Sequence, residues 1–172
     1  MQNRAAFKSM NKTFFLVFAL LLLFYSTASI SGGEDKAMAE MNNTEVVQSI
    51  YKGFESGDMA AILNVMSEEI VWLHPGKAEQ IPFAGRFEGK EGVQRFFDIA
   101  FSSIDVLDQQ VFSFEGSGEK ILVLGFEHMR VKATGKEYQS NWIHMYTVTD
   151  GKVVAFEEFI DTAALVSAFA PD

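Results

Sequence analysis

The residues best suited to chemistry lie around the last predicted hairpin. Two strand-like segments flank Asp150-Gly151, a dipeptide typical of a two-residue β-turn. If that turn forms, Thr149 faces Lys152, and the alternation of side chains along both strands defines one shared face. The predicted pairs on it are His144 with Glu157, Trp142 with Phe159, Tyr146 with Ala155, and Ser140 with Asp161. Aromatic walls with a few ionisable groups are typical of a small-molecule pocket.

These residue types suggest proton transfer. A carboxyl group among aromatic rings has a raised pKa and can act as an acid or base near neutral pH. An imidazole titrates in the same range. We therefore expect Asp161 and His144 to be catalytic. The expected substrate-binding residues are Trp72, His74, Phe83, Trp142, Tyr146, Glu157 and Phe159.

Each of these residues also has a structural interpretation. Asp161 precedes the helix-forming segment TAAL and is a good helix N-cap. His144 and Glu157 form a plausible cross-strand ion pair, and tryptophans are common in cores. The three histidines are dispersed without metal-ligand spacing, and no glycine-rich phosphate loop is present. We expect neither a metal nor a cofactor.

The composition restricts the function classes. The chain has 172 residues, enough for one domain with a sizeable core, and a net charge of −9. Such an acidic chain is a poor match for nucleic acid, which is bound by clustered Lys and Arg. The absence of cysteine excludes disulfides, thiolate metal sites and a thiol nucleophile. We expect a small apolar or aromatic molecule as the partner.

The first 31 residues have the pattern of a secretory signal peptide. Arg4, Lys8 and Lys12 precede an unbroken apolar run, Phe14 to Tyr25, and small polar residues follow. We expect export to the periplasm or the medium. Two alternatives stay open: an uncleaved membrane anchor, or translation from Met41 and a cytoplasmic protein. Residues 32–41 are expected to be a polar linker.

The remaining residues, 42–170, are expected to form one domain. Helical periodicity predicts a first helix capped by Asn42 and ending at Gly57, a second helix after Asp58, and a third whose apolar side runs from Val93 to Ile104. A strand at residues 70–74 and a loop at 77–90 lie between the last two.

The second half of the domain has a period of two. It predicts strands at residues 109–114, 120–132, 137–149 and 152–160, followed by a short helix from Asp161. Helices followed by a strand meander indicate an α+β fold, with three N-terminal helices packed on a strongly curved antiparallel sheet.

Several segments resemble the SnoaL-like branch of the NTF2-like superfamily. They are VVQSIYKGFESGD, IVWLHPG, IPFAGRFEGKEGVQRFF and HMYTVTDGKVVAFEEFID, and together they span about residues 43 to 170. The resemblance implies a cone that encloses a pocket and often dimerises. Members of the group include polyketide cyclases, ketosteroid isomerases, epoxide hydrolases and dehydratases.

The resemblance separates these activities. Where ketosteroid isomerases have a catalytic carboxylate before proline, this chain has His74, and His144 stands at their second carboxylate. Their oxyanion tyrosine falls at Ile50, with Tyr51 turned about 100° around the helix. The Asp-Arg-Asp set of epoxide hydrolases matches only at Asp161. The closest match is a cyclase-type site of one histidine and one aspartate.

Three functions are compatible with this sequence. The first is cofactor-free proton transfer on a small molecule by an isomerase, lyase or cyclase. The second is capture of an apolar ligand in the cell envelope without turnover. The third is interaction with a partner or a second copy through the outer face of the sheet.

Overall fold

The computed structural model describes residues 34–171, so the predicted leader lies outside the described residues. The elements, in chain order, are α1 (Glu34–Ser56), α2 (Met59–Asn64), β1 (Met66–His74), β2 (Gly85–Glu88), α3 (Gly89–Ser103), β3 (Ile104–Ser117), β4 (Lys120–Val131), β5 (Glu137–Thr149), β6 (Lys152–Ile160) and α4 (Thr162–Phe169). Within residues 34–171, no helix is both long and apolar enough to cross a membrane.

The six strands form one curved sheet in the order β2-β1-β6-β5-β4-β3, and helices pack against it. The expected α+β fold is confirmed. Four of the five strand pairings are antiparallel, but β1 pairs with β6 in parallel, with Val71 opposite Ala155 and Leu73 opposite Glu157. This pairing joins strands far apart in the chain, so it leaves no hairpin signal in the sequence.

Several elements differ from the predicted ones; for example, β1 begins at Met66 rather than at Ile70. Helix α1 begins at Glu34 rather than at Asn42, because the intervening residues are strong helix formers without Gly or Pro. Most of the segment predicted as linker is therefore helical. The short strand β2 lies within the predicted loop at 77–90, and Ile104 opens β3 instead of ending the third helix.

The turn between β5 and β6 forms as predicted, but beyond the turn the two strands pair in a different register from the predicted one. Asp150 and Gly151 both have positive φ, as a type I′ turn requires. The register is then shifted, because β6 carries a β-bulge close to the turn. A one-residue slip moves every later side chain of that strand to the other face of the sheet.

The bulge lies at Val154. Val148 pairs with Val153, whereas the next residue, Thr147, pairs with Ala155, so Val154 is the extra residue. The parallel neighbour β1 is also irregular at this position. The bulge therefore coincides with the place where β6 acquires its second neighbouring strand.

A glycine in β4 makes room for the largest side chain of the core. Gly125 pairs with Trp142 on β5, and the indole of Trp142 is 2% exposed. A Cβ atom on Gly125 would overlap the Trp142 ring and the backbone carbonyl of Gln110. Glycine inside a strand commonly marks such a close approach.

We expect Gly125→Ala to destabilise the protein by about 1–3 kcal/mol, because neither the indole nor the β3 backbone can yield easily. Urea unfolding followed by circular dichroism measures the loss. Asn141→Ala, an exposed position on the adjacent strand, is the control and should change the unfolding free energy by less than about 0.5 kcal/mol. Equal losses for the two variants would contradict the steric argument.

Candidate functional site

A cavity of about 490 Å³ lies between the helices and the sheet. Its volume is within the range of small-molecule sites. The wall is largely aromatic, with Phe54, Phe96, Phe97 and Phe101 contributed by the helices. Its ionisable or hydroxyl-bearing residues are Tyr51, His74, Asp105, Glu127, Arg130, Lys132, Tyr138, His144, Tyr146 and Glu158.

Glu158 on β6 bridges two histidines in this wall. Its Oε2 lies 3.1 Å from Nε2 of His74 at the end of β1, and its Oε1 lies 3.2 Å from Nε2 of His144 on β5. The carboxyl group is 8% exposed. The parallel β1–β6 pairing and the antiparallel β5–β6 pairing bring the two imidazoles to opposite sides of one carboxylate.

A string of hydrogen bonds continues from His144 into the helix layer. Nδ1 of His144 lies 2.7 Å from the Tyr51 hydroxyl of α1, which accepts a hydrogen bond of 3.3 Å from the Tyr146 hydroxyl. If Tyr51 donates to Nδ1, His144 is left with a hydrogen on Nε2 for Glu158. Every member of this string then has a matched donor and acceptor.

The other histidine restricts where protons can be. His74 Nδ1 lies 2.9 Å from the backbone carbonyl of Pro75, and a carbonyl only accepts, so Nδ1 carries a hydrogen. Nε2 of a neutral His74 is then an acceptor facing the Glu158 carboxylate. The 3.1 Å contact is favourable only with a proton between them. His74 and Glu158 therefore share one proton.

Neither group holds that proton strongly. Burial lowers the pKa of His74, and the Glu158 charge only partly opposes this. Burial raises the pKa of Glu158, but His144, through its hydrogen bond and charge, and His74 outweigh it, so the pKa lies below its usual value. A proton held weakly by both partners is one that the pair can exchange with a substrate.

A second carboxyl group in the wall has a raised pKa. Glu127 of β4 is 7% exposed and lines the cavity together with Tyr138 of β5. Burial and the nearby Glu158 charge raise the pKa of Glu127 to about 8, although the Tyr138 hydroxyl acts in the opposite direction. The cavity thus contains two buried carboxyl groups whose pKa values are shifted in opposite directions.

Five of the predicted site residues lie in the cavity wall. They are Trp72, His74, Phe83, His144 and Tyr146. Trp142 lies behind the wall, where its ring stacks on His144 with centroids 3.9 Å apart. Trp142 therefore holds the imidazole in place from the side away from the cavity, and His144 is the residue of the two that can contact a ligand.

The predicted positions of Glu157 and Phe159 are wrong, because the Val154 bulge reverses the faces of β6. His144 pairs with Glu158 rather than Glu157. Phe159 is on the outer face and is 47% exposed. Glu158 takes the place expected for Glu157, Ile160 pairs with Trp142 in place of Phe159, and Phe156 pairs with Tyr146 in place of Ala155.

Asp161, expected to be catalytic, is not among the residues that line the cavity. Its carboxylate is exposed and accepts hydrogen bonds from the backbone N–H groups of Ala163 and Ala164, at 3.0 and 3.1 Å. It is the N-cap of α4. The structural interpretation of this residue is therefore the one that the geometry supports.

Besides Glu158, the cavity residues that the sequence analysis missed include Tyr51, Glu127 and Tyr138. Tyr51 was expected to be turned away, yet its hydroxyl contacts His144. A signal was available, because Tyr51 belongs to the apolar stripe of α1 with Val47 and Ile50. Glu127 and Tyr138 lie at inward positions of alternating strands, and strand parity alone indicates both.

Comparisons with known proteins agree with this architecture. A family model described as a SnoaL-like domain matches residues 47–156. An NTF2-like protein from Burkholderia xenovorans LB400 is 30% identical, with a TM-score of 0.70 over 76% of this chain and 98% of that chain. No curated protein matches the chain.

Two further structures share the fold at lower identity. TerC, co-crystallized with polyporic acid, is 23% identical, with a TM-score of 0.65 over 74% of this chain and 98% of that chain. A candidate polyketide cyclase from Xanthomonas campestris pv. campestris is 16% identical, with a TM-score of 0.61 over 77% of this chain and 99% of that chain.

The cap assignment predicts a specific pattern of stability. Asp161→Ala should lower the unfolding free energy by about 1 kcal/mol, because two backbone N–H groups lose their acceptor. Asp161→Asn, which can still cap, should retain most of that stability. Urea unfolding of the three proteins measures this. Equal losses in both variants would show that the negative charge, and not the cap, matters.

The raised pKa of Glu127 predicts a pH-dependent stability difference. The folded state keeps this proton up to about pH 8, whereas the unfolded chain releases it near 4.5, so stability is lost as the pH rises between those values. The loss reaches at most about 1.4 kcal/mol per pH unit. Glu127→Gln removes this dependence, so urea unfolding should show the variant gaining on the wild type from pH 5 to 8. A difference constant over that range would contradict the assignment.

Proposed function

The chain belongs to the SnoaL-like family, and from this premise we propose that it binds a small, largely aromatic organic molecule in the cavity and moves a proton on it without a cofactor. The observation that carries the proposal is Glu158, buried in an aromatic cavity between His74 and His144. The reaction class is that of an isomerase, lyase or cyclase.

The bridged carboxylate has the properties of a general base. With the shared proton on His74, the Glu158 carboxylate accepts a proton from a carbon of the substrate and becomes a carboxylic acid. The electron pair left on the substrate then lies beside the His74 cation. Return of the proton to a different atom completes an isomerisation, and departure of a leaving group completes an elimination.

The hydroxyl string through Tyr51 keeps this base in position. Tyr51 holds Nδ1 of His144, so Nε2 of His144 carries its hydrogen toward Glu158. The indole ring of Trp142 stacks on one face of the His144 imidazole. These contacts fix one carboxylate orientation before a ligand arrives, and a base held in advance loses little free energy to reorganisation.

The structural neighbours support the proposal only at the level of the fold and the general class of ligand. TerC was co-crystallized with polyporic acid, and another neighbour is a candidate polyketide cyclase. Their low identity shows only the fold, so the reaction proposed here depends on the residues of this cavity. Export, which the leader pattern suggests, stays a prediction.

Two non-catalytic alternatives remain. In the first, the same cavity captures a ligand in the cell envelope without turnover. In the second, the outer face of the sheet binds a second copy of the chain, as expected from the resemblance. Ile143 and Phe159 favour this, because they pair across β5 and β6 and are 39% and 47% exposed. The homodimer is compatible with either use of the cavity.

Exchange of carbon-bound hydrogen for deuterium tests the proposed function. β-Tetralone, an aromatic ketone with acidic C–H bonds, serves as the probe, and proton NMR in D₂O follows the exchange. We expect Glu158→Gln to slow the protein-dependent exchange by at least about 100-fold. Glu157→Gln is the matched control, because the neighbouring carboxylate lies on the opposite face of the same strand.

Two outcomes would contradict catalysis. One is exchange no faster with the wild-type protein than without it, while the probe binds. The other is an equal effect of the two glutamine variants. Circular dichroism and the melting temperature are measured on both, so that unfolding of Glu158→Gln is separated from loss of the base.

A further inference from the structure

The cavity is closed at one end and open at the other. At the closed end, Trp72 and His74 are 2% and 5% exposed. At the open end, the side chains of Asp105, Arg130 and Lys132 line the cavity and are 54%, 46% and 37% exposed. We call this open end the mouth, and it lies where α3 ends, β3 begins and β4 ends. A bound molecule therefore has one end buried and the other end at the solvent.

The two ends of the cavity also differ in charge. The buried part contains the carboxyl groups of Glu127 and Glu158, and its histidines both face Glu158. The mouth contains two cations, Arg130 and Lys132. An anionic group of a ligand would lose its water beside two carboxyl groups at the buried end, whereas at the mouth it keeps part of its water and meets both cations. The cavity can therefore orient a molecule that has one anionic end.

The present partners of both cations leave room for a ligand. Arg130 donates through Nε and one terminal nitrogen to the same oxygen of Glu137. A guanidinium has further N–H groups, so donors remain for a second acceptor. Lys132 donates to the Phe101 carbonyl, and its Nζ lies 3.5 Å from the Asp105 carboxylate, which is long for a direct hydrogen bond. Since exposed ion pairs of this kind contribute little stability, a ligand carboxylate can share or replace them at low cost.

Strand β4 sets the distance between the two ends. Glu127 and Arg130 are three residues apart on this strand, and Lys132 comes two residues later. At about 3.3 Å per residue, the cations lie roughly 10–16 Å along the strand from the buried carboxyl group of Glu127. Linked or fused aromatic rings form bodies of this length, and the cavity wall contributed by the helices is lined by phenylalanines.

We propose that the mouth is an anion-binding subsite, and that the cavity takes an aromatic carboxylate or a similar organic anion with its rings inside and its charge between Arg130 and Lys132. The inference rests on the proposed function and deepens it, because it names the class of ligand and its orientation. Both cations determine specificity and take no part in proton transfer. The net charge of −9 repels anions at long range, so the selectivity depends on these local contacts.

Two probes of the same shape and different charge test the subsite. Biphenyl-4-carboxylate is an anion at neutral pH, and biphenyl-4-carboxamide is its neutral counterpart. Calorimetric titration of the wild-type protein should show that the carboxylate binds about tenfold more tightly, and added salt should reduce this preference. Equal affinities, a preference for the carboxamide, or failure of both probes to bind would overturn the proposal.

Variants without the positive charges assign the preference to the mouth. Arg130→Met and Lys132→Met should each reduce the preference for the carboxylate about threefold, and the double variant should abolish it. Binding of the carboxamide is the internal control for an intact cavity. Lys120→Met is the matched control, because Lys120 is a lysine at the opposite end of β4 and contacts Thr147. A preference that survives in the double variant, or that falls equally in Lys120→Met, would overturn the assignment.

The acidic neighbour of Arg130 provides a prediction of the opposite sign. Glu137 competes with the ligand for Arg130, so Glu137→Gln should tighten binding of the carboxylate about threefold and leave the carboxamide unchanged. Lys132→Arg keeps the charge and should retain the wild-type preference. Weaker carboxylate binding in Glu137→Gln would contradict direct contact between the ligand and Arg130. If the charge preference is absent while Glu158→Gln still stops deuterium exchange into β-tetralone, the proposed function stands and only this inference fails.

Discussion

The central constraint in this molecule is the burial of a carboxylate among aromatic rings. A charge in such surroundings is stable only when partners replace the water it has lost. Glu158 has two, and they come from different strands: His74 ends β1 and His144 lies in the middle of β5. The sheet order, with β6 between β1 and β5, makes this arrangement possible. Tyr51 then joins helix α1 to the same charge through His144.

The β6 bulge decides which glutamate occupies that position. Residues 156–159 read Phe-Glu-Glu-Phe, so each face of the strand has one phenylalanine and one glutamate whatever the register. The hydrophobic pattern, which normally specifies the register of a strand, therefore does not favour one register of β6 over the other. The extra residue at Val154 directs Phe156 and Glu158 inward. Without it, Glu157 would take the place beside His144.

Local patterns were sufficient for the fold, whereas the site depends on contacts that they do not encode. Strands β4, β5 and β6 and the Asp150-Gly151 turn follow from alternation and turn chemistry, and the cap at Asp161 follows from its position before α4. His74 and His144 were identified as residue types suited to proton transfer. Their shared partner was not, because it depends on a bulge and on a parallel pairing between distant strands. The inward orientation of Glu127 could be predicted from the alternation of side chains along β4. No residue near it in the sequence, however, indicates a functional role.

The parallel pairing of β1 with β6 also has a kinetic consequence. His74 and Glu158 are 84 positions apart, and within residues 34–171 β6 follows all the other strands. Contacts between such distant segments must overcome the entropy of closing a long loop, which makes them late events in folding. During synthesis, the edge of β1 that faces β6 stays unpaired until β6 has been made, although β2 can already pair with the other edge. The site is therefore assembled at the end of folding, and any truncation before β6 leaves two buried histidines without the carboxylate that joins them.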